Sequence, residues 1–286
     1  MRLTARVIAV AAALYSATCV PFVRKDDSIR VLVFNIHAGK DAGGTNNIAE
    51  VARLVRRTSA DVVLLQEVDR GTNRSGRVDQ LQTLMDATGF GGAFGRSLDY
   101  DGGQYGIAAL ARGGFIYSET VDLPVAPIQE RAGGSHEPRA ALLAVAVSAL
   151  GRLQTLNTHL DASGTDSYRL QELEGVLNVV RARVSPQTPM LVGGDFNSEP
   201  DSAVVRRIRD TGLRDAWTEC GRGDGLTYPA GAPVKRIDYV FLAGTLRCTA
   251  AEVIDTQISD HRPLLVTVDR SLQPAEVSRA PAGAAR

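Results

Sequence analysis

The sequence predicts a layered α/β fold, with two sheets packed face to face and helices on the outside. Three observations carry this. Short apolar runs bounded by turn residues recur along the chain, as at residues 31–34, 62–65 and 190–194. Between some of them stand segments with apolar residues at helical spacing, such as Ile48, Val51, Leu54 and Val55. Elsewhere several strands follow one another with no helix between, a mixture that suits two packed sheets with helices outside.

Taken in order, residues 29–36 read as a strand whose centre, VLVF, is continuously apolar. The helix through Ile48 to Val55 follows, then a strand at 61–67 and a helix over about 78–87. The stretches 106–111, 115–123 and 139–156 are β-rich. Leu170, Leu173, Leu177 and Val180 mark a longer helix that ends before Pro186. Residues 190–194 form a buried strand, 202–210 a short helix, and 237–242 and 264–268 the closing strands. The Gly-rich segment 89–103 reads as either a loop or a strand with turns. No linker or fixed-period repeat divides the chain, so residues 28–270 are expected to form one domain.

The two ends differ from this. Residues 1–27 read as an export signal or N-terminal anchor: Arg2 and Arg6 precede an apolar run to about Val20, too short for a good membrane span. Cys19 admits lipidation, although Ser16 and Thr18 make a poor lipidation motif. Residues 271–286 are rich in Ala, Pro and Ser and read as a mobile tail. The expected location is therefore the periplasm or the exterior. There Cys220 and Cys248 can pair, and with no CxxC or Cys/His cluster a structural zinc is not expected.

Composition excludes several classes. Of 286 residues, 44% are hydrophobic and 22% charged, ordinary values for a soluble globular protein. The 32 Lys plus Arg balance 32 Asp plus Glu. Residues 1–27 hold four cations and two anions, and 271–286 two and one, so the remaining domain carries 26 cations against 29 anions. A domain with a net charge of −3 argues against a nucleic-acid coat and leaves room only for a local basic groove.

Polar residues gather at strand ends, where a sheet holds groups rigidly yet leaves them exposed. Asn35 and His37 follow the first strand, Glu67 the second, and Asn157, His159 and Asp161 the strand ending near Leu156. Asp195 and Asn197 follow residues 190–194, Asp238 opens the strand at 237–242, and Asp260 and His261 precede the last strand. Asn and carboxylate oxygens are hard ligands suited to magnesium or manganese, and histidines titrate near neutral pH. No Gly-x-Ser-x-Gly elbow or Walker loop occurs, which disfavours serine hydrolases and P-loop kinases.

The segments FNIHAG, LLQEVD, YGIAALAR, NTHLD, GGDFNS, RIDYVF and ISDHRPL, in this order, resemble the motif set of the endonuclease/exonuclease/phosphatase superfamily, the deoxyribonuclease-I-like metal-dependent phosphoesterases. The likeness spans about residues 30–268. It implies a four-layer α/β sandwich and phosphoester hydrolysis with Mg2+ or Mn2+. Carried onto this sequence, it gives Asn35, Glu67 and Asp260 as metal-site residues. It gives His159, Asp195, Asn197, Asp238 and His261 as catalytic residues, with Asp238 the partner of His261. It gives Tyr105, Arg139 and His37 as substrate- or phosphate-facing residues. The role of His261, as charged stabiliser or as neutral base, stays open at this level.

Substrate choice is expected to lie in loops. An exported nuclease is the first expectation, with nucleic acid as partner. A sphingomyelinase or phospholipase C-type enzyme on phospholipid head groups is second, and a phosphomonoesterase on inositol phosphates or nucleotides third. A non-catalytic binding protein comes last. No obligate protein partner is expected, and the chain is expected to be monomeric. A nuclease needs a basic track, for which Arg70, Arg74 and Arg77 are the candidates, while residues 130–138 are the expected substrate-facing loop.

Overall fold

A computed structural model describes residues 28–124, 136–184 and 189–270. The expected export segment at 1–27 and tail at 271–286 lie outside these residues, as does most of the 130–138 loop. The strands are β1 (Ser28–Asn35), β2 (Val62–Arg70), β3 (Gly91–Tyr100), β4 (Gly103–Ala111), β5 (Phe115–Asp122), β6 (Ala140–Ser148), β7 (Gly151–His159), β8 (Met190–Asp195), β9 (Arg214–Asp215), β10 (Asp238–Ala243), β11 (Leu246–Val253) and β12 (Leu264–Arg270). The helices are α1 (Ile48–Arg57), α2 (Gln80–Thr88), α3 (Asp166–Arg183), α4 (Ala203–Arg209) and α5 (Ala216–Cys220).

Two six-stranded sheets form, in the orders β11-β12-β1-β2-β4-β3 and β5-β6-β7-β8-β10-β9. Each has one parallel pair, β1 with β2 and β7 with β8, flanked by antiparallel neighbours. Side-chain alternation explains the layering. Along β1, Ile29, Val31 and Val33 enter the core between the sheets, while Leu32 and Phe34 enter a second core with residues of α1 and α2. Along β8, Leu191 enters the central core, while Met190 and Val192 join a third with residues of α3 and α4. Three apolar layers separate four structural ones, which is the four-layer α/β sandwich.

Local chemistry sets the helix ends. Asp79 caps α2, its carboxylate accepting from Gln82 N at 3.0 Å, and Ser202 caps α4 by accepting from Val205 N at 3.2 Å. The Gly-rich segment at 89–103 is mainly the edge strand β3, and the 139–156 region is the β6–β7 hairpin. Residues 243–263, unassigned from sequence, contain β11, an edge strand that is largely exposed.

Both parallel pairs end at the same edge of the sandwich, and the antiparallel strands β10 and β12 begin there. The candidate residues therefore collect at one edge although they are distant in sequence. At another place, Cys220 of α5 and Cys248 of β11 form a disulfide. It closes a segment with a sequence separation of 28. Chain-entropy arguments assign such a loop about 3–4 kcal/mol. The double variant Cys220→Ser/Cys248→Ser should lose stability of that order in urea unfolding, with activity retained. A midpoint equal to wild type would show that the bond contributes nothing.

Candidate active site

Alternation along β1 continues past Val33 and turns Asn35 inward, toward the facing sheet. Leu191 and Asp195 share the inward side of β8, so Asn35 and Asp195 meet across the sandwich. Asn35 Nδ2 donates to Asp195 Oδ2 at 3.1 Å. Glu67 should face the other way by the same parity, since Leu64 is inward and Leu65 outward. A bulge between Leu65 and Val68, with Glu67 at φ 57°, brings its carboxylate to the site. Asn35 Nδ2 also donates to Glu67 Oε1, at 3.0 Å.

The segment after β8 is shaped by its apolar residue. Phe196 is fully buried and packs edge-on against Tyr239 and Phe241, at 5.6 and 5.3 Å. That anchor leaves Asp195 and Asn197 on the cleft side. Asn197 has φ 47°, a region asparagine tolerates, and its backbone N–H donates to Asp195 Oδ1 at 2.9 Å. Gly194 has φ 145°, and a Cβ there would lie 1.9 Å from Thr158 O, so only glycine fits.

Asp238 lies opposite Asp195 in the β8–β10 register. His261 Nδ1 and Asp238 Oδ2 are 2.9 Å apart, and His261 Nε2 lies 3.6 Å from Asp195 Oδ2. His159 Nε2 lies 3.6 Å from that same oxygen, so one carboxylate faces two imidazoles. Arg139 Nη1 approaches His159 Nδ1 at 2.8 Å and Glu137 Oε1 at 2.5 Å, with all three side chains buried. Tyr105, Arg139, His159, Asn197, Glu67, Asp195, Asp260 and His261 all line one cleft of about 670 Å³.

Burial opposes a charge on His261, but Asp238 and Asp195 outweigh it and push its pKa up to about 10. Burial pushes Asp195 up to about 7, against the lowering by His261, Asn197 and Asn35. Burial, the Arg139 guanidinium and the charge on His261 hold His159 well below the ordinary imidazole range. The two histidines are thus placed in opposite protonation states at neutral pH. Burial likewise holds the Tyr105 phenol well above its ordinary value, so it stays protonated.

A hard divalent cation fits part of the expected set. Glu67 and Asp260 offer carboxylate oxygens to the cleft, and two further buried carboxylates, Asp195 and Asp238, stand close by. Such an anionic oxygen cluster, balanced locally by His261, suits a cation. Asn35, expected as a ligand, donates from its amide nitrogen to two carboxylates, and its Oδ1 accepts from His37 N at 3.0 Å. It acts here as a clamp on Glu67 and Asp195. His37 sits beside Asp260, with Nδ1 3.9 Å from Asp260 Oδ1.

Other residues escaped sequence reasoning. Ser259 is buried, and its hydroxyl donates to Asn35 O at 2.8 Å, tying the loop before β12 to β1. The Tyr228 ring lies 4.8 Å from that of His261, in a stretch without periodic signal. Of the three arginines of the expected basic track, Arg74 is partly buried, while Arg70 and Arg77 are exposed. Arg74 donates to both oxygens of buried Asp69 at 2.8 Å and lies over the rings of Tyr100 and Tyr105. Arg70 pairs with Asp79 at 2.9 Å, and Arg77 donates to Gly102 O at 3.3 Å.

The His261 pKa stands above the ordinary 6.5, so its favourable charge is fully present below about pH 6.5 and is lost as pH rises through about 10. Asp238→Asn removes one of the three supporting anions, Asp238, Asp195 and Asp260. The alkaline limb of its kcat/KM profile should therefore fall at least about one pH unit lower than in wild type. An unmoved limb would detach Asp238 from the state of His261.

Known proteins share the family's sequence pattern and the fold. The model of the Endonuclease/Exonuclease/phosphatase family matches residues 32–261. The protein YbhP of Escherichia coli K12, itself described as uncharacterized, is 26% identical over 250 residues, covering 83% of this chain and 94% of YbhP. Solved structures share the fold. An endonuclease/exonuclease/phosphatase from Bacteroides vulgatus is 22% identical with a TM-score of 0.70, covering 86% of this chain and all of that one. A mannosyl-6-phosphatase from Bacteroides thetaiotaomicron is 18% identical with a TM-score of 0.68, covering 84% and 99%. The human Nocturnin catalytic domain, bound to a sulfate anion, is 19% identical with a TM-score of 0.67, covering 85% and 94%.

Proposed function

We propose that this chain, which belongs to the endonuclease/exonuclease/phosphatase family and is by that membership a phosphoester hydrolase, cleaves the phosphoester of a small, hydroxylated molecule with the help of Mg2+ or Mn2+. The observation that carries the hydrolase reading is the convergence of Asp195, Asp238, His261, His159 and Asn197 on the cleft that Glu67 and Asp260 also line.

Asp195, with its pKa near neutrality, suits the role of proton acceptor from an attacking water. Asn35 and the Asn197 backbone hold its two oxygens in place. His261, kept as an imidazolium by Asp238, places a positive donor against the charge that develops on the phosphoryl oxygens. Asn197 and His159 add donors on the opposite wall. Glu67 and Asp260 are the residues that would hold the cation, which when bound draws charge from a non-bridging oxygen.

The substrate class rests on the rest of the cleft. Beyond the catalytic groups it is lined by Ser163, Glu199, Asp201 and Ser202, by Asp166 in an ion pair with Arg169 at 2.9 Å, and by Lys235. The Glu199 and Asp201 carboxylates disfavour a polyanionic backbone, while serine hydroxyls suit a hydroxylated leaving group. The nuclease reading needs a basic track, and of its candidates Arg74 is tied to buried Asp69, while Arg70 and Arg77 make exposed contacts with Asp79 and Gly102. The mannosyl-6-phosphatase of similar fold supports the small-substrate reading. The Cys220–Cys248 bond supports an oxidising, extracytoplasmic setting, in line with the export signal read from the sequence.

A panel of sugar phosphates, inositol phosphates, sphingomyelin, RNA and plasmid DNA, run with Mg2+ or Mn2+, tests this. Small phosphates should turn over fastest, and Asp195→Ala should cost ~10²–10⁴ in rate while the protein remains folded. Excess chelator should abolish the activity and added cation restore it. Faster turnover of nucleic acid or lipid would overturn the substrate class. Full activity of Asp195→Ala, or in chelator, would overturn the catalytic reading.

A further inference from the structure

The two site histidines are wired in opposite ways. His261 presents Nδ1 to a carboxylate, Asp238, at 2.9 Å, the usual arrangement for a histidine that donates from Nδ1. His159 presents Nδ1 to a guanidinium, Arg139, at 2.8 Å. A guanidinium is only a donor and does not lose its proton in proteins. The Nδ1 atom of His159 must therefore be the acceptor, and the single proton of a neutral imidazole must sit on Nε2. Arg139 is not free to turn away. Its Nη1 forms an ion pair with Glu137 Oε1 at 2.5 Å while it contacts His159 Nδ1, and its side chain is buried.

The consequence reaches the cleft. Asn197 Nδ2 lies 3.2 Å from His159 Nε2 and already donates to Leu160 O at 3.0 Å. With the proton on Nε2, neither nitrogen accepts from the other. Two donors then stand side by side on the cleft wall, an arrangement satisfied by an anionic oxygen between them. We propose that Glu137 and Arg139 are positioning residues that lock His159 as the neutral Nε2–H tautomer, so that it serves as a fixed hydrogen-bond donor to the substrate phosphate and never as a base. This departs from the expectation that Arg139 itself contacts phosphate. Its catalytic half rests on the hydrolase reading, and its structural half does not.

The test has two arms. The first is the imidazole ¹⁵N NMR spectrum of metal-free, labelled protein at pH 7. The chain has four histidines, so the His159 signals are identifiable by their loss in His159→Gln. The wild type should show His159 protonated at Nε2 and bare at Nδ1. Arg139→Met should release the ring into tautomer exchange, and Arg139→Lys, which keeps a cationic donor, should restore the wild-type pattern. Glu137→Gln should loosen it to a smaller degree. A proton on Nδ1 of His159 in the wild type overturns the proposal, whether or not any variant folds. The second arm is kinetic, on the best substrate of the panel. Positioning predicts that Arg139→Met lowers kcat by ~10–100-fold, the cost of losing a supporting partner, with KM within about threefold of wild type. A raised KM at unchanged kcat would instead make Arg139 a phosphate-binding residue and overturn the positioning role. If no substrate is hydrolysed, the hydrolase reading fails while the spectrum still decides the tautomer.

Discussion

The hydrogen bond from Asn35 to Asp195 joins the two sheets at the edge where the chemistry is placed. Its partners are 160 residues apart in sequence, and both are buried. A lone carboxylate there would pay a large desolvation cost, so the site exists only if donors meet Asp195 from the facing sheet. Asn35 supplies one without adding charge and uses the same amide to hold Glu67. A second buried bridge lies nearby: Gln66 Nε2 donates to Asn157 Oδ1 at 2.7 Å, and Asn157 Nδ2 donates to the Leu65 and Ala108 carbonyls at 2.9 Å. These polar contacts fix how the sheets align at this edge, where apolar packing alone would tolerate sliding.

Electrostatics then follows from position. Asp195 faces two imidazoles at equal distance, 3.6 Å, yet the two are driven to opposite charge states. The difference lies one residue further out, in a carboxylate behind His261 and a guanidinium behind His159. Placing two imidazoliums around one carboxylate would leave uncompensated positive charge in a buried site. A charged ring on one side and a neutral donor on the other present a phosphate with attraction from both walls and leave a carboxylate to deal with the proton.

Much of this was legible in the sequence, and the limits have physical causes. The β1 and β8 strands were clear because they are buried on both faces and read as continuous apolar runs. Asp195, Asn197 and Asp238 were visible because they stand at the ends of apolar strand runs. The edge strand β11 was not, since its exposed, mixed surface lacks any apolar alternation. The direction of Glu67 was not either, because period-two reasoning turns it outward and only the bulge reverses it. The use of Asn35 as a clamp and Glu137 as an anchor depends on partners far away in the chain, which no local pattern encodes.

The charge balance makes the same point about the limits of counting. A domain with three more anions than cations leaves it open whether any arginine is free for a substrate. In the fold, Arg74 is spent on Asp69 and Arg139 on Glu137, both partners being buried carboxylates. A buried carboxylate left without its arginine would be far costlier than an exposed arginine left without a phosphate, so the internal pairs are the stronger demand on these side chains. Among the described residues of the cleft, the substrate meets His261, the neutral donors of His159 and Asn197, Arg169 in its pair with Asp166, and Lys235. That inventory suits one phosphate group held closely.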